Sequence, residues 1–285
     1  MSVLGIAVHR FRPEALDLAR AVCEWATSRS MSVVIDESDA LAVGSQVAAV
    51  GDIATADVLV CIGGDGTMLR AVRALQGAPV PIIGVNLGML GYLATVEQDG
   101  LIDALEAWHA GAAGDRFHHD DRMLIEVSMW SQGARLANVL ALNEVVVEKR
   151  DAGHTVRLGV DIDKAPFTTY AADGVIIATP TGSTAYSMSA RGPILSPRLR
   201  ALLLTPVSPH MLFDRSMVLD PREAVRIEVQ GHRSVNVATD GEFVHTLHPG
   251  DVIEVRAADE VARFVRFEER RFHHVLKTKF GLNDR

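Results

Sequence analysis

Two cysteines in 285 residues, Cys23 and Cys61, leave no material for a disulfide framework. They lie far apart, each inside an apolar pattern, and so read as small core residues of a protein kept in a reducing, cytoplasmic compartment. Long hydrophobic runs are missing as well. None approaches the ~20 residues needed to cross a bilayer, and the opening stretch MSVLGIAVHRFRPEAL has neither the basic leader nor the apolar length of a signal peptide. Positive charge is in deficit: 28 Lys and Arg against 36 Asp and Glu give a formal net charge of -8. That balance argues against nucleic acid as a partner, while a local basic patch around a nucleotide stays compatible with it. Internal repeats, low-complexity segments and long linkers are all absent. What is present is ordinary globular composition, long enough for one large domain or two medium ones.

The first hundred or so residues alternate between two periodicities. VLGIAVH, MSVVID, ADVLVCIGG and VPIIGVNLG read as buried strands. PEALDLARAVCEWATSR, opened by Pro13, TMLRAVRALQG, ended by Gly77, and LIDALEAWHAGAAG, closed by Gly114, read as helices. Such alternation implies right-handed crossovers and a parallel, Rossmann-like sheet covered on both faces. Beyond residue 115 the texture changes to short strand-like runs: MLIEVSMW, ARLANVLALNEVVVE, TVRLGVDID, GVIIATP, AVRIEVQ, SVNVATDG and DVIEVRA. The expectation is an α/β domain over 1–115 that binds phosphate and nucleotide, and a mostly β, sandwich-like domain over 116–265. The tail 266–285, with RRFHHVLKTKFG reading as a helix, is expected to pack back on the first domain.

One turn carries the chemistry of the first half. In LVCIGGDGTMLRAV a strand leads through Gly63, Gly64, Asp65, Gly66 and Thr67 into a helix. Glycines let backbone N–H groups approach an anion, and the helix N-terminus adds favourable partial charge. This is not a Walker A loop, since no Gly-Lys-Ser/Thr follows, nor is it the G-x-G-x-x-G dinucleotide fingerprint. Asp65 would repel phosphate unless it met a metal ion or a hydroxyl proton. The alternative is a tight turn in which Asp65 caps the helix, and the residues alone leave both open. A second stretch, DGVIIATPTGSTAYSMSARGPIL, runs a strand into a loop crowded with hydroxyls from Thr179 to Ser187. It suits either a polar ligand held at close range, with Tyr186 offering a stacking face, or a turn that satisfies its own backbone.

GGDGT is a signature shared by NAD kinases, diacylglycerol and sphingosine kinases and, in related form, phosphofructokinases. The second stretch resembles the hallmark of the NAD kinase family in particular. ALNEVVV (141–147), GVNLGMLGYLA (84–94) and LTPVSPHMLFDRSMVL (204–219) are similar to that family too, in its order. The resemblance implies transfer of the γ-phosphate of ATP, with Mg²⁺ or another divalent metal, to the 2′-hydroxyl of the adenosine ribose of NAD. It implies that Gly63, Gly64, Gly66 and Thr67 line phosphate, while Asp65 takes the hydroxyl proton or works through the metal. It also implies that Asn143 and Glu144 hold the nicotinamide-side ribose and the adenine end. Asp173 would face the carboxamide or ribose region. Thr184, Ala185, Tyr186, Ser187, Met188 and Ser189 would cradle adenine and ribose, and a homodimer or homotetramer would form through the β domain.

His154 falls where some family members carry a substrate-contacting histidine, though a histidine in DAGHTV is as readily a plain loop residue, and Asn143-Glu144 as readily an ordinary turn. Arg191 stands where a glycine is common in the family, as a new anion contact or a solvated residue, and Glu242 where glutamine is common. Adjacent histidines at 118–119 and 273–274 lack metal-ligand spacing. Trp25 and Trp108 read as packing residues, and Asp120–Arg122 as an ion pair near the boundary. Two other functions stay in view: a lipid or sugar kinase sharing the GGDGT turn, and a non-catalytic NAD(P)(H)-sensing module.

Overall fold

The computed structural model describes residues 2–44, 48–88, 91–111, 116–267 and 272–282. The chain divides into two compact units, one of Met1–Asp121 with Ala262–Arg285, the other of Arg122–Val261.

The first unit runs β1 (Val3–Val8), α1 (Pro13–Ser28), β2 (Ser32–Ile35), α2 (Glu37–Val43), β3 (Ala49–Val50), β4 (Val58–Gly63), α3 (Asp65–Leu75), β5 (Ile82–Asn86) and α4 (Leu101–His109). Its strands are all parallel, in the order β5-β4-β1-β2-β3. Every residue of β4 is buried, as expected of a parallel strand with helices over both faces. Val58, Val60 and Ile62 join a core with Ala15, Ala19, Val22 and Ala26 of α1 and Leu101 and Leu105 of α4. The α1 residues recur at the spacing of one helix face, and Pro13 opens the helix where its missing N–H costs nothing. From β1 the chain works outward to β2 and β3, then returns to lay β4 and β5 on the other side. The carboxyl ends of β1 and β4 are therefore a topological switch point, where open α/β sheets bind ligands.

Helix α2 lies outside the sequence-based pattern although both its caps are written in the sequence. Asp36 accepts from the Asp39 N–H at 2.9 Å and Gly44 closes it at φ 64°. Seven residues are too few for periodicity to register. Gly114, read as the close of α4, lies outside the described residues, as do Met89 and Leu90 of the 84–94 motif; the described helix ends at His109.

The second unit holds β6 (His118–Ser131), whose first residues belong to the first unit, then β7 (Ala134–Ala141), β8 (Glu144–Lys149), β9 (Val156–Ile162), β10 (Ala165–Ala172) and β11 (Gly174–Ala178). A one-turn helix α5 (Tyr186–Ser189) follows, then β12 (Leu202–Val207), β13 (Met217–Leu219), β14 (Val225–Gln230), β15 (Val235–Thr239), β16 (Glu242–Leu247) and β17 (Val252–Arg266). One antiparallel sheet orders β13-β12-β11-β8-β15-β16. The other carries β10-β9-β14-β17, with β6 beside β17 and β7 beside β6. Their inner faces share one core, in which Val145, Val147, Val175, Ile177 and Leu204 of the first sheet meet Ile125, Val127, Leu158, Val160 and Ile227 of the second. This is the sandwich expected from the strand-rich texture. Strands β10, β12, β13 and β16 were not among the expected runs. Pro166 and Pro206 interrupt two of them, and β13 is only three residues long.

The last residues of β17 return to the first unit, where Phe264 pairs with Ile82 in parallel. Helix α6 (Phe272–Lys279) follows, its Phe272 ring 6.4 Å from that of Tyr92. The tail belongs to the α/β unit from Ala262 onward. Asp120 accepts from Arg266 Nε at 3.0 Å and Asp121 from Arg263 Nε at 2.7 Å.

Candidate active site

The Gly-Asp turn sits at the switch point of the first unit. Gly63 ends β4, and a side chain there would run into Thr67. Gly64 and Gly66 differ. Among the described residues a Cβ on either would meet nothing within 4 Å, and neither has a positive φ. The described residues therefore make no demand for glycine at 64 or 66, and they leave room for a group to approach the backbone closely. Beside them opens a cleft of about 440 Å³ lined by His9, Arg10, Arg12, Gly64, Gly66, Thr67 and Arg70, among others. Backbone amides at a helix start and three guanidinium groups give this cleft the chemistry that suits an anion.

A buried acid organises two of those cations. Asp39 is fully buried. It accepts from Arg10 Nε at 2.6 Å, from Arg70 Nη1 and Nη2 at 2.9 and 3.1 Å, and from the Val8 N–H at 2.9 Å. Arg70 also donates to the Val8 carbonyl at 2.6 Å, and Arg12 to the Leu87 carbonyl at 2.6 Å. The carboxylate fixes planar donors in one orientation while their outer edges face the cleft.

Asp65 does not cap its helix; Gly64 occupies the N-cap position, with no side-chain bond. The Asp65 carboxylate instead accepts from the Tyr92 and Leu93 N–H groups at 3.0 and 3.1 Å. Gly91 lies against it so closely that any side chain there would strike Asp65 Oδ1. The acid is about one-third exposed and has Lys279 Nζ 3.9 Å from Oδ2. A carboxylate held from behind by two amides and open in front can accept a proton from a group arriving from solvent.

In the second unit β8 and β11 pair so that Ala178 faces Glu144 and Gly174 faces Glu148. This register brings the two motif stretches together. The Thr179 N–H donates to the Asn143 carbonyl at 2.8 Å, Thr179 Oγ1 to the Leu142 carbonyl at 2.6 Å, and Gly182 passes so near Asn143 that no Cβ fits. Asp240, in the left-handed region at φ 49°, accepts from the N–H groups of Leu142, Asn143 and Glu144 at 2.8, 2.7 and 3.1 Å. Three amides on one carboxylate lock the Asn143-Glu144 corner. Asp173 binds Lys149 Nζ at 2.6 Å. The Tyr186 phenol, 40% exposed, is pushed up by burial and by the charges of Glu148 and Asp173. The hydroxyls of Thr184, Ser183 and Ser187 engage Thr181, Pro180 and Thr205 at 3.1, 2.7 and 3.0 Å. Much of that hydroxyl-rich loop thus satisfies the chain itself.

Glu144 is the unusual group. It is 5% exposed, and its Oε2 is buried without a hydrogen-bond partner. Burial first, then the Asp240 charge, push its carboxyl up from 4.5 to about 8, against the Tyr186 N–H, which donates to it and pulls down. Folded, Glu144 keeps its proton to about pH 8; unfolded, only to about 4.5. Between those values the folded state binds more protons, so stability falls as pH rises, by at most ~1.4 kcal/mol per pH unit. The Glu144→Gln variant is therefore expected to melt above its parent at pH 8, with the gap closing at pH 5; an equal gap at both pH values in scanning calorimetry would contradict this.

Comparison with known proteins accords with both halves. The ATP-NAD kinase N-terminal domain matches residues 4–113 and the ATP-NAD kinase C-terminal domain residues 142–267. The NAD kinase of Syntrophotalea carbinolica is 37% identical, with 100% of each chain covered. This chain belongs to the ATP-NAD kinase family. The NAD kinase of Heliobacterium modesticaldum is 38% identical over 98% of each chain. Yeast NADH kinase, crystallised with NADH, superposes with a TM-score of 0.90 at 23% identity, covering 100% of this chain and 89% of that one. An NAD kinase from Archaeoglobus fulgidus, crystallised with ATP, gives 0.73 at 21%, with both chains covered fully. At those identities the two structures speak for the fold.

Within this kinase the structure brings Gly63, Gly64, Asp65, Gly66 and Thr67 together in the first unit, and Asn143, Glu144, Asp173 and Ala185–Ser189 in the second. His154 lies on an exposed turn between β8 and β9, and Glu242 is exposed at the start of β16. Arg191 is exposed at φ 67°, a conformation glycine adopts without cost, which accounts for the family's glycine there. Sequence reasoning missed Arg10, Arg12, Arg70, Asp39, Asp240 and Lys279. HRFR between a strand and a proline-led helix was a visible signal; nothing local marks Asp240 or Lys279.

Proposed function

We propose that this kinase moves the γ-phosphate of ATP to the 2′-hydroxyl of the adenosine ribose of NAD, giving NADP and ADP, with Asp65 receiving the hydroxyl proton. The 2′-oxygen forms a bond to the γ-phosphorus, the bond from that phosphorus to the bridging β,γ-oxygen breaks, and ADP leaves. A ribose hydroxyl is a very weak acid, so Asp65 assists only as the proton departs. Most of the acceleration comes from positioning and from charge aimed at the phosphoryl oxygens. Gly64, Gly66 and the Arg10, Arg12 and Arg70 guanidinium groups support binding of the triphosphate. Glu144, with its unpartnered buried Oε2, supports recognition of an adenine amino group, while Tyr186 supplies a face and Asp173 a polar contact.

A divalent ion suits this chemistry by neutralising phosphate charge. Among the described residues no group of three His, Cys, Asp or Glu side chains could hold one. An ion of the Mg²⁺ kind, which keeps several waters and binds phosphate oxygens, needs no such cage. Among the described residues no helix is long and apolar enough to cross a membrane, in keeping with a cytoplasmic enzyme. A homodimer or homotetramer is part of the same reading.

The observation that carries it is the open space at Gly64 and Gly66 beside an acid held by two amides. The test is incubation of the purified protein with NAD, ATP and Mg²⁺, with NADP read through an NADP-specific dehydrogenase. NADP formation is expected; NAD binding without NADP would make the chain a sensor instead.

A further inference from the structure

The C-terminal helix delivers a cation to the reacting acid. Lys279 Nζ lies 3.9 Å from Asp65 Oδ2 and 4.0 Å from the centroid of the Tyr92 ring. Tyr92 in turn gives its backbone N–H to Asp65 at 3.0 Å and packs its ring against Phe272, at the start of the same helix. Phe272 and Lys279 thus grip one tyrosine from two ends of α6. The nearby cations at the cleft have other commitments: Arg10 and Arg70 bind Asp39, and Arg12 binds the Leu87 carbonyl. The Lys279 side chain is 30% exposed.

We propose that Lys279 is a positioning residue for Asp65, with α6 forming part of the reacting centre rather than a passive tail. At 3.9 Å the ammonium lies beyond a direct hydrogen bond. It keeps the carboxylate turned toward its approach while leaving Oδ2 able to take a hydroxyl proton. The Tyr92 ring, attracted to the same ammonium, couples the seating of α6 to the peptide that supports Asp65. The inference rests on the proposed role of Asp65, and one of its readouts does not.

The experiment compares Lys279→Met and Lys279→Arg with the parent. In the coupled assay Lys279→Met is expected to lower kcat up to about fivefold, the scale of a partly exposed charge acting on a charged transition state. KM for NAD and for ATP should stay within about twofold, and Lys279→Arg should restore most of the rate. Independently of turnover, amide hydrogen exchange at Tyr92 and Leu93, the donors to Asp65, should quicken in Lys279→Met and not in Lys279→Arg. An unchanged kcat with unchanged exchange would overturn the proposal. So would a raised KM for ATP with kcat intact, which would make Lys279 a nucleotide ligand. If the parent forms no NADP and exchange still responds to Lys279→Met, the positioning role stands and the functional reading falls. A thermal midpoint within a few degrees of the parent shows that the variant is folded.

Discussion

Asp65→Asn is expected to reduce kcat by about 10²–10⁴-fold, the range for loss of a general base, while NAD and ATP still bind. Asparagine keeps the shape of the side chain but cannot accept the hydroxyl proton. It also disturbs the support from behind. Tyr92 and Leu93 each give one N–H to a different carboxylate oxygen, and an asparagine offers one oxygen and one NH₂, so one amide meets a donor. The local loss is of the order of 1–3 kcal/mol, too little to unfold the unit. Calorimetric titration of NAD and ATP alongside single-turnover kinetics separates the two effects. Turnover near that of the parent would remove Asp65 from the chemistry, and loss of binding with the chemistry intact would make it a ligand contact only.

Asp39→Ala should be the most damaging substitution to stability. The carboxylate is completely buried and accepts four bonds, from Val8, Arg10 and twice from Arg70. Its removal strands the Val8 N–H and takes from Arg10 and Arg70 their nearest acid, leaving them Asp36 at 3.8 and 3.4 Å. Breaking a buried pair costs about 3–5 kcal/mol. The lower end is expected here because Arg10 and Arg70 are 34% and 32% exposed and water can reach their outer edges. The released arginines should also lose their aim at the cleft, raising KM for ATP more than KM for NAD. Thermal melting and the two KM values test this together. A midpoint unchanged from the parent would contradict the stability claim, and an equal rise in both KM values would contradict the assignment of the cleft to the triphosphate.

The parallel sheet was legible because its strands are buried throughout, as in β4, and its helices bury one face at regular spacing, as in α1, which Pro13 opens. The glycine turn was legible as a strand-to-helix turn whose residues fitted either an anion or an Asp65 cap, and the structure removes the cap. What periodicity could not reach was whatever depends on distant parts of the chain meeting. Asp240 lies 96 residues or more from the amides it holds, and Lys279 approaches an acid more than two hundred positions earlier. The hydroxyl-rich loop shows the opposite case. Its composition fitted a polar ligand or a self-satisfying turn equally, and Ser183, Thr184 and Ser187 bond within the chain, as short polar side chains in a tight loop readily do. Cys61 behaved as its apolar context implied: burial pushes its thiol up to about 12, leaving it a core residue and no nucleophile.

The central claim is that the Asp65 carboxylate faces the adenosine ribose while the glycine turn grips phosphate. A crystal of Asp65→Asn with NAD, Mg²⁺ and a non-hydrolysable ATP analogue tests it most directly. The account predicts the 2′-oxygen about 2.6–3.2 Å from the residue-65 side chain, with the γ-phosphate of the analogue against Gly64 and Gly66. A 2′-oxygen remote from residue 65, or a triphosphate lodged away from those glycines, would contradict it.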